Sequence, residues 1–270
     1  MPDLLAASSI TTEASTSTLE TLLLRDRAVI AAGIGGITAI SWSYLYQEVQ
    51  SNHCVRMAEM AMPHMQSWTL TEFSLMFMMW AVMMIGMMTP SAAPMVLTFA
   101  RVSHNRRMRE RPYVPASIFL AGYLTVWTLF SLAATLAQWG FHATALLSPA
   151  MVATSRWLGG GLLIAAGIFQ WSPLKRACLT HCRTPFHFIM MHWREGGWGA
   201  FRMGIHHGAY CVGCCWLLMC LLFVAGVMNL AWVAAISAFV LLEKIAPRPI
   251  LVNRLTGAIM IAAGIWMVSS

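Results

Sequence analysis

A chain of 270 residues in which 59% are hydrophobic and only 10% are charged does not have the make-up of a soluble globular domain, since such domains carry about 25% charged residues. Its net charge of +7 sits in short loops between apolar runs, where basic residues mark the cytoplasmic side of a membrane. With no Gly-rich phosphate loop and no nucleic-acid motif, the charge does not point to nucleic acid. Several apolar runs approach the roughly 20 residues needed to cross the hydrocarbon core. The sequence therefore predicts an all-α, polytopic transmembrane helix bundle of about seven spans with a cytoplasmic N-terminus.

Residues 1 to 24 are rich in Ser, Thr and Ala, with Asp3, Glu13 and Glu20 and no basic residue before Arg25. A signal peptide would begin with basic residues and continue into an apolar core. Residues 1–27 are thus expected to be a cytoplasmic tail, and residues 28–270 a single transmembrane helical domain. The first span is expected over Ala28 to Tyr46, where Gly33, Gly35 and Gly36 permit close approach of a neighbour. The next loop holds His53, Cys54, Met57, Met60, Met62, His64 and Met65. Facing outward, it would be a capture segment for a soft metal; an equally good account is an amphipathic surface helix with its methionines in lipid.

The second span, Phe73 to Ala100, concentrates Met76, Met78, Met79, Met83, Met84, Met87, Met88 and Met95 ahead of and around Thr89-Pro90-Ser-Ala-Ala-Pro94. Each proline lacks an amide hydrogen, so the carbonyls of Gly86 and Pro90 lose their helical partners and a kink is expected. Freed carbonyls are tolerated in a membrane only where protein or water satisfies them, which places this break in the bundle interior. Arg101 to Arg111 holds five arginines in eleven residues and fixes that side as cytoplasmic. The third span follows over Pro115 to Trp139, with a weakly charged return through His142 and Pro149 on the outside.

The fourth span, Arg156 to Trp171, opens on three consecutive glycines. A basic cytoplasmic loop then extends to Arg202 and contains Cys178, His181 and Cys182. The Cys-x3-Cys spacing suits a metal clip or a reducible pair. The fifth span is expected over Phe201 to Val227, and a sixth over Leu230 to Leu242 that ends at Glu243-Lys244. Glu243 is either an interfacial anchor or, turned inward, a partner for a base or a charge relay. The last span runs from Leu255 to Val268.

The fifth span carries the chemistry. Cys211, Cys214 and Cys215 fall at i, i+3 and i+4, crowding three thiols onto one helix face. His207 lies one turn before Cys211, Met203 one turn before that, and Met219 one turn beyond Cys215. Thiol, imidazole and thioether donors suit Cu(I) first and zinc second, whereas hard ions prefer oxygen. Cys220 faces away and is read as packing. At about 1.5 Å of rise per residue, Met83, Met84, Met87 and Met88 lie within a few Å of the depth of Cys211 to Cys215. Two separate concentrations of sulfur donors thus coincide at mid-membrane. A lone cysteine or methionine in a membrane helix is ordinarily packing; three thiols on one face beside an imidazole are harder to explain that way.

Across residues 68 to 268 the chain resembles the predicted metal-binding integral membrane protein family, domain of unknown function 2182. The resemblance rests on Met87-Met88-Thr-Pro90-Ser-Ala-Ala-Pro94 and on Gln170-Trp-Ser-Pro173-Leu-Lys175 with Cys178 and Cys182-Arg-Thr-Pro185. It continues through His207-Gly-Ala-Tyr-Cys211-Val-Gly-Cys214-Cys215-Trp216 with Met219, then Gly226-Val-Met228-Asn229-Leu and Glu243-Lys244. It implies metal binding of a copper-chaperone-like kind. The expectation is a multi-pass protein of the bacterial inner membrane that binds Cu(I), with zinc as the alternative, for delivery or movement across the bilayer. Its partners would be the metal ion, lipid, and a soluble metallochaperone or a membrane metalloenzyme client. Two other readings stay open: a membrane thiol-disulfide carrier, and an accessory subunit that loads a metalloenzyme complex. None of the three makes the chain an enzyme by necessity.

Overall fold

The structure, a computed structural model, describes residues 28–50, 69–107, 113–143, 155–227 and 229–270. The tail over residues 1–27 and the candidate capture segment with His53, Cys54, Met57, Met60, His64 and Met65 lie outside the described residues, as does the return over 144–154. The first helix is α1, Ala28–Gln50. It is followed by α2 (Leu70–Arg107), α3 (Ala116–Ala143), α4 (Arg156–Gln170), α5 (Pro173–Arg183), α6 (Pro185–His192), α7 (Gly196–Cys220), α8 (Leu222–Ala225), α9 (Leu230–Ile245) and α10 (Pro249–Ser269). No strand occurs among the described residues.

Local signals start and stop these helices. Thr69 and Glu72 exchange hydrogen bonds at the head of α2: the Thr69 amide donates to Glu72 Oε2 at 2.6 Å and the Glu72 amide to Thr69 Oγ1 at 3.3 Å. That reciprocal pairing satisfies two amides that the first turn leaves without partners. Ser172 caps α5 by accepting from the Lys175 amide at 3.1 Å, with Pro173 in the first turn. Gly196 (φ +76°) leads into α7 and Gly226 (φ +90°) ends α8, conformations that a side chain disfavours.

Among the described residues, five helices are long and apolar enough to cross a membrane: α1, α2, α3, the α7–α8 unit and α10. The predicted fourth and sixth spans are helices too, but α4 has 15 residues and α9 has 16. At about 1.5 Å per residue neither reaches the roughly 30 Å of a hydrocarbon core. The predicted basic loop after α4 is not a loop. Ser172-Pro173 and Thr184-Pro185 start two helices, α5 and α6, and α5 packs against α7.

At the centre, α7 touches α3, α4, α5 and α9. The α3–α7 contact is backbone on backbone. A Cβ on Gly122 of α3 would collide with the Phe201 carbonyl of α7, and one on Gly204 of α7 with the Phe119 carbonyl of α3. Apolar surface drives helices together only weakly in lipid, so small residues that allow such close van der Waals packing carry the association. The same device joins α4 to α10, where Gly160 meets Gly264 and Gly167 meets Gly257. α3 also packs on α2, so this one helix touches both the methionine-bearing α2 and the cysteine-bearing α7.

Candidate metal centre

The methionines of α2 turn inward. Met83, Met84, Met87 and Met88 are at most 1% exposed, while Met78 on the same helix is 56% exposed. Met76 is half-buried, and its sulfur accepts from Gln138 Nε2 at 3.3 Å. Helix α2 runs unbroken through Pro90 and Pro94, and hydroxyls gather on the carbonyls next to the first proline. Tyr123 Oη donates to the Met88 carbonyl at 3.1 Å, Ser91 Oγ to the same carbonyl at 2.8 Å, and Ser237 Oγ to the Met87 carbonyl at 3.1 Å. Side chains from α3 and α9 thus add hydrogen bonds to backbone carbonyls just ahead of the first proline.

Along α7, Met203, His207, Cys211, Cys214, Cys215 and Met219 are all buried. The Cys214 and Cys215 thiols donate back along their own helix to the Cys211 carbonyl, at 3.1 and 2.9 Å. The Cys211 sulfur is held from outside the helix. Lys244 Nζ donates to it at 3.1 Å, and Tyr123 Oη lies 3.2 Å from it. Lys244 also donates to Ser91 Oγ at 2.8 Å, so one ammonium ties α9 to both α7 and the proline segment of α2. The methionine and cysteine helices are therefore linked through Tyr123 and Lys244.

Helix α5 delivers two more thiols. The Cys182 thiol lies against those of Cys211 and Cys214. Cys178 is seated on α7 at Gly213, where a Cβ would come within 2.9 Å of its sulfur. The two groups of thiols that the sequence suggests as separate sites, three in the membrane and two in a loop, form a single cluster. His181 points elsewhere: its ring stacks on Tyr210 with centroids 4.2 Å apart, and its Nδ1 contacts the Ala177 carbonyl. Cys220 is half-buried at the end of α7, apart from the cluster. All of these cysteines are free thiols.

His207 is 1% exposed, and neither of its ring nitrogens has a hydrogen-bond partner. Its ring stacks on Tyr123 and Phe119, with centroids 5.4 and 6.1 Å apart. Among the described residues, no three His, Cys, Asp or Glu side chains are already arranged to hold an ion. The donors are gathered, but their atoms are committed to the Cys211 carbonyl, to Lys244 and to Tyr123.

Glu243 and Lys244 diverge. Glu243 is 1% exposed and accepts both Lys175 Nζ contacts, at 2.8 and 2.9 Å, from a lysine that is itself fully buried. Asn253, with its amide nitrogen turned inward, donates to Glu243 Oε1 at 3.2 Å and to the Pro249 carbonyl at 3.1 Å. Arg183 reinforces the junction by donating to the Glu243 carbonyl at 2.7 Å and the Ala246 carbonyl at 2.5 Å. Of the two sequence readings of Glu243, the structure supports inward pairing with a base. Lys175, Lys244 and Tyr123 were not singled out as site residues. A lysine inside an apolar run is the signal that could have found Lys244; nothing in the local sequence marks Tyr123.

These features define a polytopic helical protein whose interior gathers thiols, thioethers and one imidazole without a partner. The chain belongs to the PpoB2 family, described as copper chaperones, whose model matches residues 77–267. Membership ties the protein to copper. No curated protein and no solved structure matches it.

Proposed function

We propose that this chain holds Cu(I) inside a bacterial inner membrane and passes it on, with Cys182, Cys211, Cys214 and Cys215 as thiolate donors and His207 as a nitrogen donor. The observation that carries this reading is His207. An imidazole buried with both nitrogens unsatisfied costs free energy, and a metal at the neighbouring thiols would give one nitrogen its partner. Thiolate and thioether donors select Cu(I), which is why copper is preferred over zinc. Buried Met83, Met84, Met87, Met88 and Met219 supply weaker donors, suited to an ion that must leave as well as enter.

Loading requires rearrangement. The Cys214 and Cys215 thiols must swing off the Cys211 carbonyl and lose their protons, since metal ligands bind deprotonated. The Lys244 ammonium must withdraw from the Cys211 sulfur. The recipient is a soluble metallochaperone or a membrane metalloenzyme.

The test is the metal content of the full chain, purified under reducing conditions after exposure to Cu(I). About one copper per chain is expected, abolished by Cys211→Ser/Cys214→Ser and retained by Cys220→Ser. Wild-type protein that emerges without metal would end this reading.

A second reading, thiol-disulfide exchange, is favoured by the 3.1 Å contact between Lys244 and Cys211, because cations stand beside nucleophilic cysteines. It predicts a mobility shift on thiol trapping between oxidised and reduced protein with no metal bound. The buried thioethers of α2 have no part in that chemistry.

A further inference from the structure

Away from the thiols, at the junction where α4 ends and α5 begins, Gln170, Trp171, Arg176, Ile250, Asn253 and Arg254 enclose a cavity of about 140 Å³. We propose that this cavity binds a phosphoryl anion, supplied by the headgroup of an anionic membrane phospholipid.

Charge is the first argument. Two guanidiniums, one from α5 and one from α10, line the cavity, and neither makes an ion pair among the described residues. No acidic residue lines it. The nearest carboxylate behind its wall, Glu243, is closed off by Lys175 at 2.8 Å. Arginine's planar fork matches the oxygens of a phosphate, so paired arginines with no carboxylate partner favour that ligand.

The second argument is Gln170. It is 1% exposed and its side chain lies beside the Glu243 carboxylate, yet neither amide atom is hydrogen-bonded. A buried amide without partners is unfavourable, and an oxygen-rich group in the cavity would accept from its nitrogen. Asn253, the other buried wall residue, is already spent on Glu243 and Pro249. Trp171 is likewise occupied, donating from its indole nitrogen to the Arg254 carbonyl at 3.2 Å.

The third argument concerns the source of the phosphate. Of the lining residues, Trp171 and Ile250 are 47% and 52% exposed, and Leu251, next to Ile250 on α10, is 51% exposed. Tryptophan favours the level of the headgroups, and the flanking aliphatic side chains would meet an acyl chain. Basic pockets between membrane helices bind lipid headgroups by this combination of charge and apolar rim.

The test uses the delipidated full chain in neutral detergent, with retained lipid read by native mass spectrometry. Phosphatidylglycerol and phosphatidylcholine are supplied in turn, the latter as the zwitterionic control. About one phosphatidylglycerol per chain is expected, with little phosphatidylcholine. Arg176→Gln/Arg254→Gln should reduce retention at least about tenfold, the loss of one charge-assisted hydrogen bond or more. Arg202→Gln, which removes an exposed charge from α7, should retain lipid as wild type does. Both arginines of the double variant are exposed, so its melting midpoint in phosphatidylcholine should be unchanged and verifies the fold. Displacement of the lipid by inorganic phosphate would show that the phosphoryl group alone is recognised; failure to displace would assign recognition to headgroup and chain together. Equal retention of the two lipids, wild-type retention by the double variant, or an equal loss in Arg202→Gln would overturn the proposal.

Discussion

Lys244 donates to the sulfur of Cys211 at 3.1 Å, a contact between two buried side chains on helices that otherwise touch little. The same ammonium reaches Ser91 beside the first proline of α2. Cys211→Ala would leave a buried ammonium short of one partner. Hydrogen bonds to charged groups contribute about 1.5–3 kcal/mol, so a loss of that size is expected in detergent unfolding of the full chain. Cys211→Ala/Lys244→Met should recover much of it, because removing both partners leaves no charge stranded. Strictly additive losses in the cycle would show that the two side chains are not coupled.

His207→Phe separates a ligand from a packing residue. Phenylalanine keeps the stack on Tyr123 and Phe119 and deletes two buried nitrogens that have no partners. Metal-free protein should be unchanged or more stable, by up to about 1–3 kcal/mol, the usual cost of an unsatisfied buried group. Copper retention should fall. A variant as stable as this that still holds copper like wild type would remove His207 from the ligand set.

Much of the fold was legible because membrane helices announce themselves by apolar length, and all seven expected spans appear as helices. The shortness of α4 and α9 could be counted directly. The inward rotation of Met83 to Met88 was not legible, because depth along a helix says nothing of rotation about its axis. Nor was the position of Cys182. A basic stretch between apolar runs reads as loop, and the folding of α5 onto α7 depends on a tertiary contact, Cys178 against Gly213, with no local signature. Tyr123 was invisible for the same reason: a tyrosine within an apolar span becomes a site residue only once α3 is packed against both α2 and α7.

The Lys175–Glu243 pair predicts an asymmetry between single and double variants. Both side chains are at most 1% exposed, and breaking a buried pair by removing one partner costs about 3–5 kcal/mol. Lys175→Met alone and Glu243→Leu alone should each lower the thermal midpoint sharply. Lys175→Met/Glu243→Leu should regain most of the loss, since apolar replacement of a whole buried pair is often neutral or stabilising. If the pair also serves copper transit as a charge relay, the double variant will be stable but will release copper slowly. Stable protein with wild-type release would confine the pair to a structural role.

Contact between the α3 and α7 backbones makes a prediction that links fold to site. Gly204→Ala would drive a methyl group into the Phe119 carbonyl, a backbone atom that cannot rotate away, and to within 3.0 Å of the Tyr123 amide. Overpacking of this kind costs about 1–3 kcal/mol, and here it must push α3 off α7. The hydroxyl of Tyr123 touches the Cys211 sulfur at 3.2 Å and the Met88 carbonyl at 3.1 Å, so a shift of α3 loosens one of the two side chains, with Lys244, that join the methionine helix to the thiols. Gly204→Ala should therefore lower both the melting midpoint and copper retention. Gly161→Ala is the control: nothing lies within 4 Å of a Cβ there, and alanine in a helix interior gains up to about 1 kcal/mol over glycine. Its copper content should match wild type while its midpoint holds or rises. If Gly204→Ala lost stability but kept its copper, the thiol cluster would not depend on how α3 is seated, and the role given to Tyr123 would fall.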